Sequence, residues 1–237
     1  VDDRENPYST PEDKPYLWIR GRQVGGRSHT WGGVCLRFSD FEFKAPERDQ
    51  KGSCWPLEYR DLVPFYGRLE RMLKVHGERD RLAQLPDGEF LEPGRLSPGE
   101  LHMGSALQRH FNRRLVISRG IRAGRRAERG EKYSRLSSNQ TTLAEAEKTG
   151  RLFLHSGAVV HQVLFDPTRS RAVGVEFVDS DNGSVHRRRA MLVVLCASSL
   201  ETIRILLNSK SSTFPEGIGA SSGFLGRGGV TRRLSRR

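Results

Sequence analysis

AMLVVLCASSLETIRILLNS, residues 190–209, is the stretch from which the fold is read. Its first eight residues form a continuous apolar run, the pattern of a strand covered on both faces. The next twelve have helical spacing. Leu200, Ile203, Ile205, Leu206 and Leu207 supply a buried side, Glu201 sits in the first turn, and Ser198 or Ser199 can cap it. A buried strand running into a helix implies an α/β layer.

Immediately upstream the signal is β. LFLH (152–155), AVVHQVLFD (158–166), AVGVEFVD (172–179) and the run beginning VHRRR (185–189) are short β-branched segments separated by Gly, Asp and Asn. Asp181-Asn182-Gly183 between two of them is a hairpin signal. TTLAEAEKTG (141–150) predicts a helix with Thr141 as its cap and Gly150 as its stop. Residues 113–138 are Arg-rich and weakly patterned, so no structure is assigned to them; 101–112 read as a short helix, and 77–100, with Pro86, Pro93 and Pro98, read as loop or linker. Tyr59, Leu62, Tyr66, Leu69 and Leu73 fall at helical spacing. Pro64 belongs in a first turn, so that helix is expected to start near Asp61 to Pro64 and to end before Gly77. Residues 34–57 show no clean period, and residues 1–20 read as an extended lead-in. No internal repeat is visible.

At 237 residues the chain is long enough to bury a real core. Lys and Arg number 40 against 28 Asp and Glu, for a net charge of +12. The excess is local: residues 109–129 hold eight Arg and one acid, Arg187 to Arg189 add three charges, and residues 227–237 add five. The remainder is slightly acidic. These clusters raise an alternative reading as a polyanion- or nucleic-acid-binding protein, but no recognition motif surrounds them and no aromatics interleave for stacking, so no specific nucleic acid is expected. No apolar run approaches the roughly 18 residues of a membrane span. The N-terminus has no basic and apolar leader pattern, and the compartment is unknown. Three Cys with no CxxC spacing and seven His with no ligand spacing point away from a disulfide scaffold, a structural zinc site or any other metal.

Three segments are candidates for chemistry. In Gly25-Gly26-Arg27-Ser28-His29-Thr30-Trp31-Gly32-Gly33 the paired glycines let backbone amides approach a ligand that a Cβ would block, Ser28 and Thr30 add hydroxyls, and Trp31 adds a flat apolar surface. Such a loop suits a phosphate or a flat heterocycle; it also suits an ordinary turn. Cys196 to Thr202 places small residues, Ala197 and Ser198, where a strand would meet a helix N-terminus, an anion-favouring arrangement or a plain connection. Gly217-Ile218-Gly219 to Gly223 has one residue too many for a dinucleotide fingerprint and follows no strand, so it is rejected. His29, His155 and His161 assemble no Ser/His/Asp set. No catalytic residue is assigned.

Taken together, these pieces resemble the glucose–methanol–choline (GMC) family of flavin-dependent oxidoreductases. WIRGRQVGGRSHTWGGVCLRFSDFEF (18–43) looks like that family's flavin-contacting loop. CWPLEYRDLVPFYGRLERMLKVHG (54–77) looks like the segment that follows it, with Trp-Pro ahead of an Asp-Leu-x-Pro-x-Tyr helix. Residues 152–180 and 193–209 look like its adenine-side strands and returning strand–helix, and SSGFLGR (221–227) also fits. The resemblance covers most of 5–76 and 139–227. It implies part of an FAD-binding, Rossmann-like α/β domain (α+β overall) with part of a substrate domain. It divides the chain into a flavin-loop segment (1–76), a linker and partial cap (77–150), adenine-side strands and strand–helix (151–227) and a basic tail (228–237). It implies oxidation of the CH–OH group of a small alcohol, sugar or polyol, with hydride passing to FAD.

By position, Gly25, Gly26, Ser28, His29, Thr30, Trp31, Gly32 and Gly33 lie along the flavin and its pyrophosphate. Val160 faces the adenine through its backbone, and Ala197 and Ser198 stand beside the cofactor. In pyranose-oxidase-like members a His just before the loop Trp anchors the flavin covalently; here that position is Thr30, so non-covalent FAD is expected. The family opens with a strand–GxGxxG–helix unit and closes with a segment carrying the catalytic His. Neither pattern occurs in these residues, and the composition changes after Arg227 as after a shift of frame or an early stop. The chain is therefore expected to be the middle of an enzyme, weak in FAD binding and without turnover alone, or completed by a partner chain.

Overall fold

Ser39, Glu58 and Ser97 each stand three residues ahead of an acid, and each opens a helix. Ser39 N–H donates to Glu42 at 2.6 Å, Glu58 N–H to Asp61 at 2.8 Å and Ser97 N–H to Glu100 at 2.7 Å. These reciprocal bonds satisfy donors that a helix start would leave unpaired. The computed structural model describes residues 4, 6–50, 52, 54–121 and 137–227. Residues 122–136 of the Arg-rich stretch and the basic tail from 228 onward lie outside these. The described chain divides into two units, Val1–Leu152 and Phe153–Arg237.

In the first unit the capped segments are α1 (Asp40–Phe43), α3 (Tyr59–Leu73) and α4 (Pro98–Phe111). Between the first two lies α2 (Ala45–Asp49). The helices α1 and α2 arise in a stretch whose period is silent; the Ser39–Glu42 box was the available signal. The helix α3 begins at Tyr59, earlier than Pro64 suggests, and Pro64 lies inside it. Tertiary bonds hold the turn ahead of the proline: Tyr59 N–H donates to Asp40 at 3.0 Å, and Arg37 Nη1 donates to the Tyr59 hydroxyl at 2.9 Å. The expected short helix after residue 100 is α4, with Ser97 as its cap and Pro98 in its first turn. Lys148 ends α5 (Thr142–Lys148), and Gly150 follows in the left-handed region. Thr141 occupies the cap position of α5, but its hydroxyl donates instead to the Ser137 carbonyl at 3.0 Å.

Two-residue strands β1 (Val75–His76) and β2 (Gly120–Ile121) pair antiparallel. Among the described residues of this unit the buried hydrophobics are Phe43 and Val75, and two ion-pair knots tie the rest together. Arg37 grips Glu70 with parallel bonds of 2.7 and 2.6 Å, and Glu70 also accepts from Glu89 N–H at 2.8 Å. Arg119, 1 % exposed, donates to Asp80 at 3.0 Å, Asp87 at 2.9 Å and the Pro86 carbonyl at 2.6 Å. Five donors on a rigid planar fork let one buried Arg tie several loop positions at once.

The second unit is an antiparallel meander of β3 (Ala158–Asp166), β4 (Arg171–Asp179) and β5 (Val185–Arg189), with α6 (Ser199–Asn208) packed on β3. Three of the expected β segments and the 181–183 hairpin form as read. Val163, Phe177 and Ile205 are buried. Ser209 joins strand to helix, its hydroxyl accepting from Val163 N–H at 2.8 Å and donating to the Ile205 carbonyl at 2.6 Å. Two expected strands do not form. LFLH (152–155) has no strand geometry and leaves Phe153 83 % exposed. The apolar run 190–197 is likewise no strand; Met191, Leu192 and Val194 are 90 %, 77 % and 71 % exposed. A strand buried on both faces exists only between neighbours that hydrogen-bond its edges. Ala190 N–H still donates to the Val173 carbonyl at 2.9 Å, but among the described residues no strand pairs with 191–197, so that run stays open while the helix it leads into still forms.

Candidate functional site

The loop at residues 24–35 turns through glycines. Gly25, Gly26 and Gly33 have φ of 90°, 51° and 70°. A 3₁₀ turn, Gly26–His29, follows the first of them. At Gly25 a side chain would run into His29 and Asn139, and at Gly33 a Cβ would lie 3.0 Å from the Ile121 carbonyl. At Gly26 nothing lies within 4 Å of that position, and at Gly32 only Val34 does, at 3.9 Å. The loop is thus packed at Gly25 and Gly33 and open over Gly26 and Gly32. His29, Thr30 and Gly32 are exposed, and Trp31 is half-buried.

Both ends are braced by distant chain. Ser28 Oγ donates to the Gly25 carbonyl at 2.5 Å and accepts from Ser138 N–H at 2.9 Å. At the other end Ile121 N–H donates to the Gly33 carbonyl at 2.8 Å, and Cys35 N–H to the Arg119 carbonyl at 3.0 Å. Burial pushes the Cys35 thiol up from its ordinary range. The His29 imidazole turns back on its own loop, its Nε2 lying 2.9 Å from the Val24 carbonyl. Residues 18–36 carry Arg20, Arg22 and Arg27 and no acid. The eight loop residues singled out from the sequence are therefore one structural piece.

The other three lie in the second unit. Ala197 and Ser198 are exposed at the start of α6. Ser198 takes the cap position at φ 74°, ψ 166°, and its side chain makes no cap bond. Its expected capping role is not fulfilled, because at those angles the hydroxyl does not reach the first-turn amides. The Val160 carbonyl accepts from Arg204 Nη2 at 2.9 Å, and Arg204 Nε donates to Glu201 at 2.6 Å. One side chain thus fixes the first turn of α6 against the Val160 carbonyl. No cluster of metal-binding side chains occurs among the described residues, and no helix among them is long and apolar enough to cross a membrane. Two surface hollows of about 530 and 620 Å³ are lined by other residues, chiefly Arg71, Lys74 and Phe90 in one and Leu101, Gly104 and Leu115 in the other.

The Gly-rich loop and the meander with its helix occur in the order expected of one family, and the chain matches the model of that family, GMC oxidoreductase, over residues 8–221. The chain belongs to the GMC oxidoreductase family. FAD is this family's cofactor, and the helices and strands described are those of part of its α/β domain. Paromamine 6'-oxidase of Streptomyces fradiae is 28 % identical over 94 % of this chain and 43 % of its own length. 2-Methyl-1,2-propanediol dehydrogenase of Mycolicibacterium austroafricanum is 26 % identical over 90 % and 40 %. The large subunit of fructose dehydrogenase from Gluconobacter japonicus is 23 % identical over 91 % and 44 %. The chain spans less than half the length of these curated relatives. They are GMC oxidases and dehydrogenases whose names state alcohol or sugar donors, and they lend the polyanion-binding alternative no support.

Sequence reasoning missed Ser138, Arg119 and the Arg37–Glu70 pair. The Ser137-x-x-Gln140 box ahead of α5 was a legible signal for the first; buried Arg pairs leave none.

Proposed function

We propose that this chain is the flavin-loop and adenine-side portion of a GMC oxidoreductase that oxidises a CH–OH group of an alcohol, sugar or polyol. The observation that carries the reading is the 25–33 loop: braced at both ends, left-handed at its glycines, and open over Gly26 and Gly32. When bound, the flavin is the hydride acceptor. The chain's own part is to hold and orient it. Gly26 N–H is already bonded to the Gln23 carbonyl at 2.7 Å, so the Gly32 amide is the one proposed to take a polar edge or a phosphate oxygen, and Arg20, Arg22 and Arg27 make the segment cationic toward a diphosphate. The bond between His29 and the Val24 carbonyl, with Thr30 beside Trp31, favours non-covalent attachment. Val160 and the Ala197–Ser198 corner are proposed to take the adenine side, where Arg204 steadies the strand and the helix start together.

The extended run 191–196 has no strand partner among the described residues. In this reading it is covered by strands of the family's remaining segments, on the same or a separate polypeptide. Until then the Ala197–Ser198 corner has no fixed seat, and the chain alone binds FAD weakly and turns nothing over.

The test is flavin binding and dye reduction with alcohol or sugar donors, measured on the chain alone and on the chain co-expressed with the remaining family segments. Binding and turnover are expected only in the second case. Dye reduction by the chain alone refutes the need for completion. Undiminished FAD affinity after Gly25→Val in the completed protein refutes the loop assignment.

A further inference from the structure

The 137–140 turn touches the flavin loop at one point. Ser137 is 4 % exposed and closes its own turn, its N–H donating to Gln140 Oε1 at 3.1 Å. That leaves the next residue, Ser138, facing Ser28. The Ser138 amide donates to Ser28 Oγ at 2.9 Å, its hydroxyl donates to the Gly25 carbonyl at 3.4 Å, and the two hydroxyls are 3.1 Å apart. The Asn139 carboxamide stands where a Gly25 side chain would go. The other hydrogen bonds of residues 25–30 described in the structure run within residues 19–31. Among the described residues, then, the first half of the loop takes its non-local polar support from Ser138.

Resting on the flavin reading of the loop, we propose that Ser138 is a positioning residue for the cofactor site. Through Ser28 it holds the left-handed turn at Gly25 and so sets the course of the 3₁₀ turn Gly26–His29 that leads to Trp31 and Gly32. Asn139 adds a steric stop that keeps Gly25 a glycine position. A three-residue turn more than a hundred positions away in sequence thereby tunes how the flavin is held, without touching it.

Two readouts separate this from the reading it rests on. The first is amide hydrogen exchange at residues 26–31 in the full 237-residue chain without FAD. Ser138→Ala is expected to speed exchange roughly three- to tenfold, the loss of about one hydrogen bond. Ser138→Thr, which keeps the hydroxyl, is expected to restore protection. Ser28→Ala also takes away the acceptor of the Ser138 amide and is expected to loosen the loop more, and the double variant less than the product of the singles, since the hydroxyl pair is shared. Unchanged exchange, or a double variant equal to the product of the singles, overturns the brace. Ser28→Ala probes the same junction should Ser138→Ala fold poorly. The second readout is FAD affinity and the flavin visible spectrum in the completed protein, where Ser138→Ala is expected to weaken binding several-fold and shift the spectrum, with Ser138→Thr close to wild type. A loosened loop with unmoved flavin affinity and spectrum overturns the positioning role and the flavin assignment of the loop, while leaving a purely structural brace.

Discussion

Glu70 accepts both parallel hydrogen bonds of Arg37 with its side chain only 8 % exposed, and in the same pair Arg37 is held firmly protonated by that carboxylate. Removing one member of a buried pair strands the other charge. Glu70→Ala is expected to destabilise the N-terminal unit by about 3–5 kcal/mol, read as a lower urea midpoint. Glu176 adds a pH dependence to the second unit. Arg187 is bonded to it at 2.6 Å and, with Gln162, holds its carboxyl below the usual carboxylate range. A depressed folded value contributes stability that is complete above the unfolded value of about 4.3 and is lost as pH falls through the folded one. Melting temperature of the chain should therefore fall as pH drops below about 5, and Glu176→Gln should shrink that part of the fall. Neither partnership was legible beforehand. Arg37 and Glu70 are 33 positions apart, and no periodicity relates a loop arginine to one position on a helix face.

At the scale of elements, local chemistry and tertiary pairing part company around residues 190–209. The helix α6 forms where its spacing says, while the apolar run before it lies open. A helix closes its hydrogen bonds within its own segment; a strand needs a neighbour. With Leu192 and Val194 exposed in the chain alone, changing both to Ser is expected to move its stability by no more than about 0.5 kcal/mol while improving its solubility. In the completed protein the same pair is expected to cost about 2 kcal/mol or more, because burying them there removes apolar surface from water. Chemical denaturation of both forms makes the comparison. At the joint between run and helix, Ser198 sits in backbone space where only glycine is at ease. Relief of that strain, less the entropy glycine regains on unfolding, makes Ser198→Gly more stable by about 1 kcal/mol, seen as a raised denaturation midpoint. Such strain in a corner read as beside a cofactor is in keeping with the place it holds.

For the whole molecule, net charge and fold carry different information. The charge of +12 is confined to a few clusters, and charge alone confers non-specific affinity for any polyanion. Binding to heparin or DNA should fall steeply and without sequence preference between about 50 and 200 mM salt, whereas flavin binding by the completed protein should change little. Much of the architecture was readable from residue order alone: the β-meander and its Asp181-Asn182-Gly183 hairpin, the helices at 59–73 and 199–208, the glycine loop and the family these pieces belong to. Each rests on information held within a dozen residues, in spacing, turn chemistry or caps. The tertiary structure decided what links distant positions: Ser138 bracing Ser28, Arg119 tying residues 80–87 behind Gly33 and Cys35, α3 starting ahead of its proline, and the run 191–197 finding no strand partner among the described residues. Hydrogen bonds and ion pairs across long separations, and strand edges that require a neighbour, depend on which surfaces the folded chain brings together, and no local pattern encodes that.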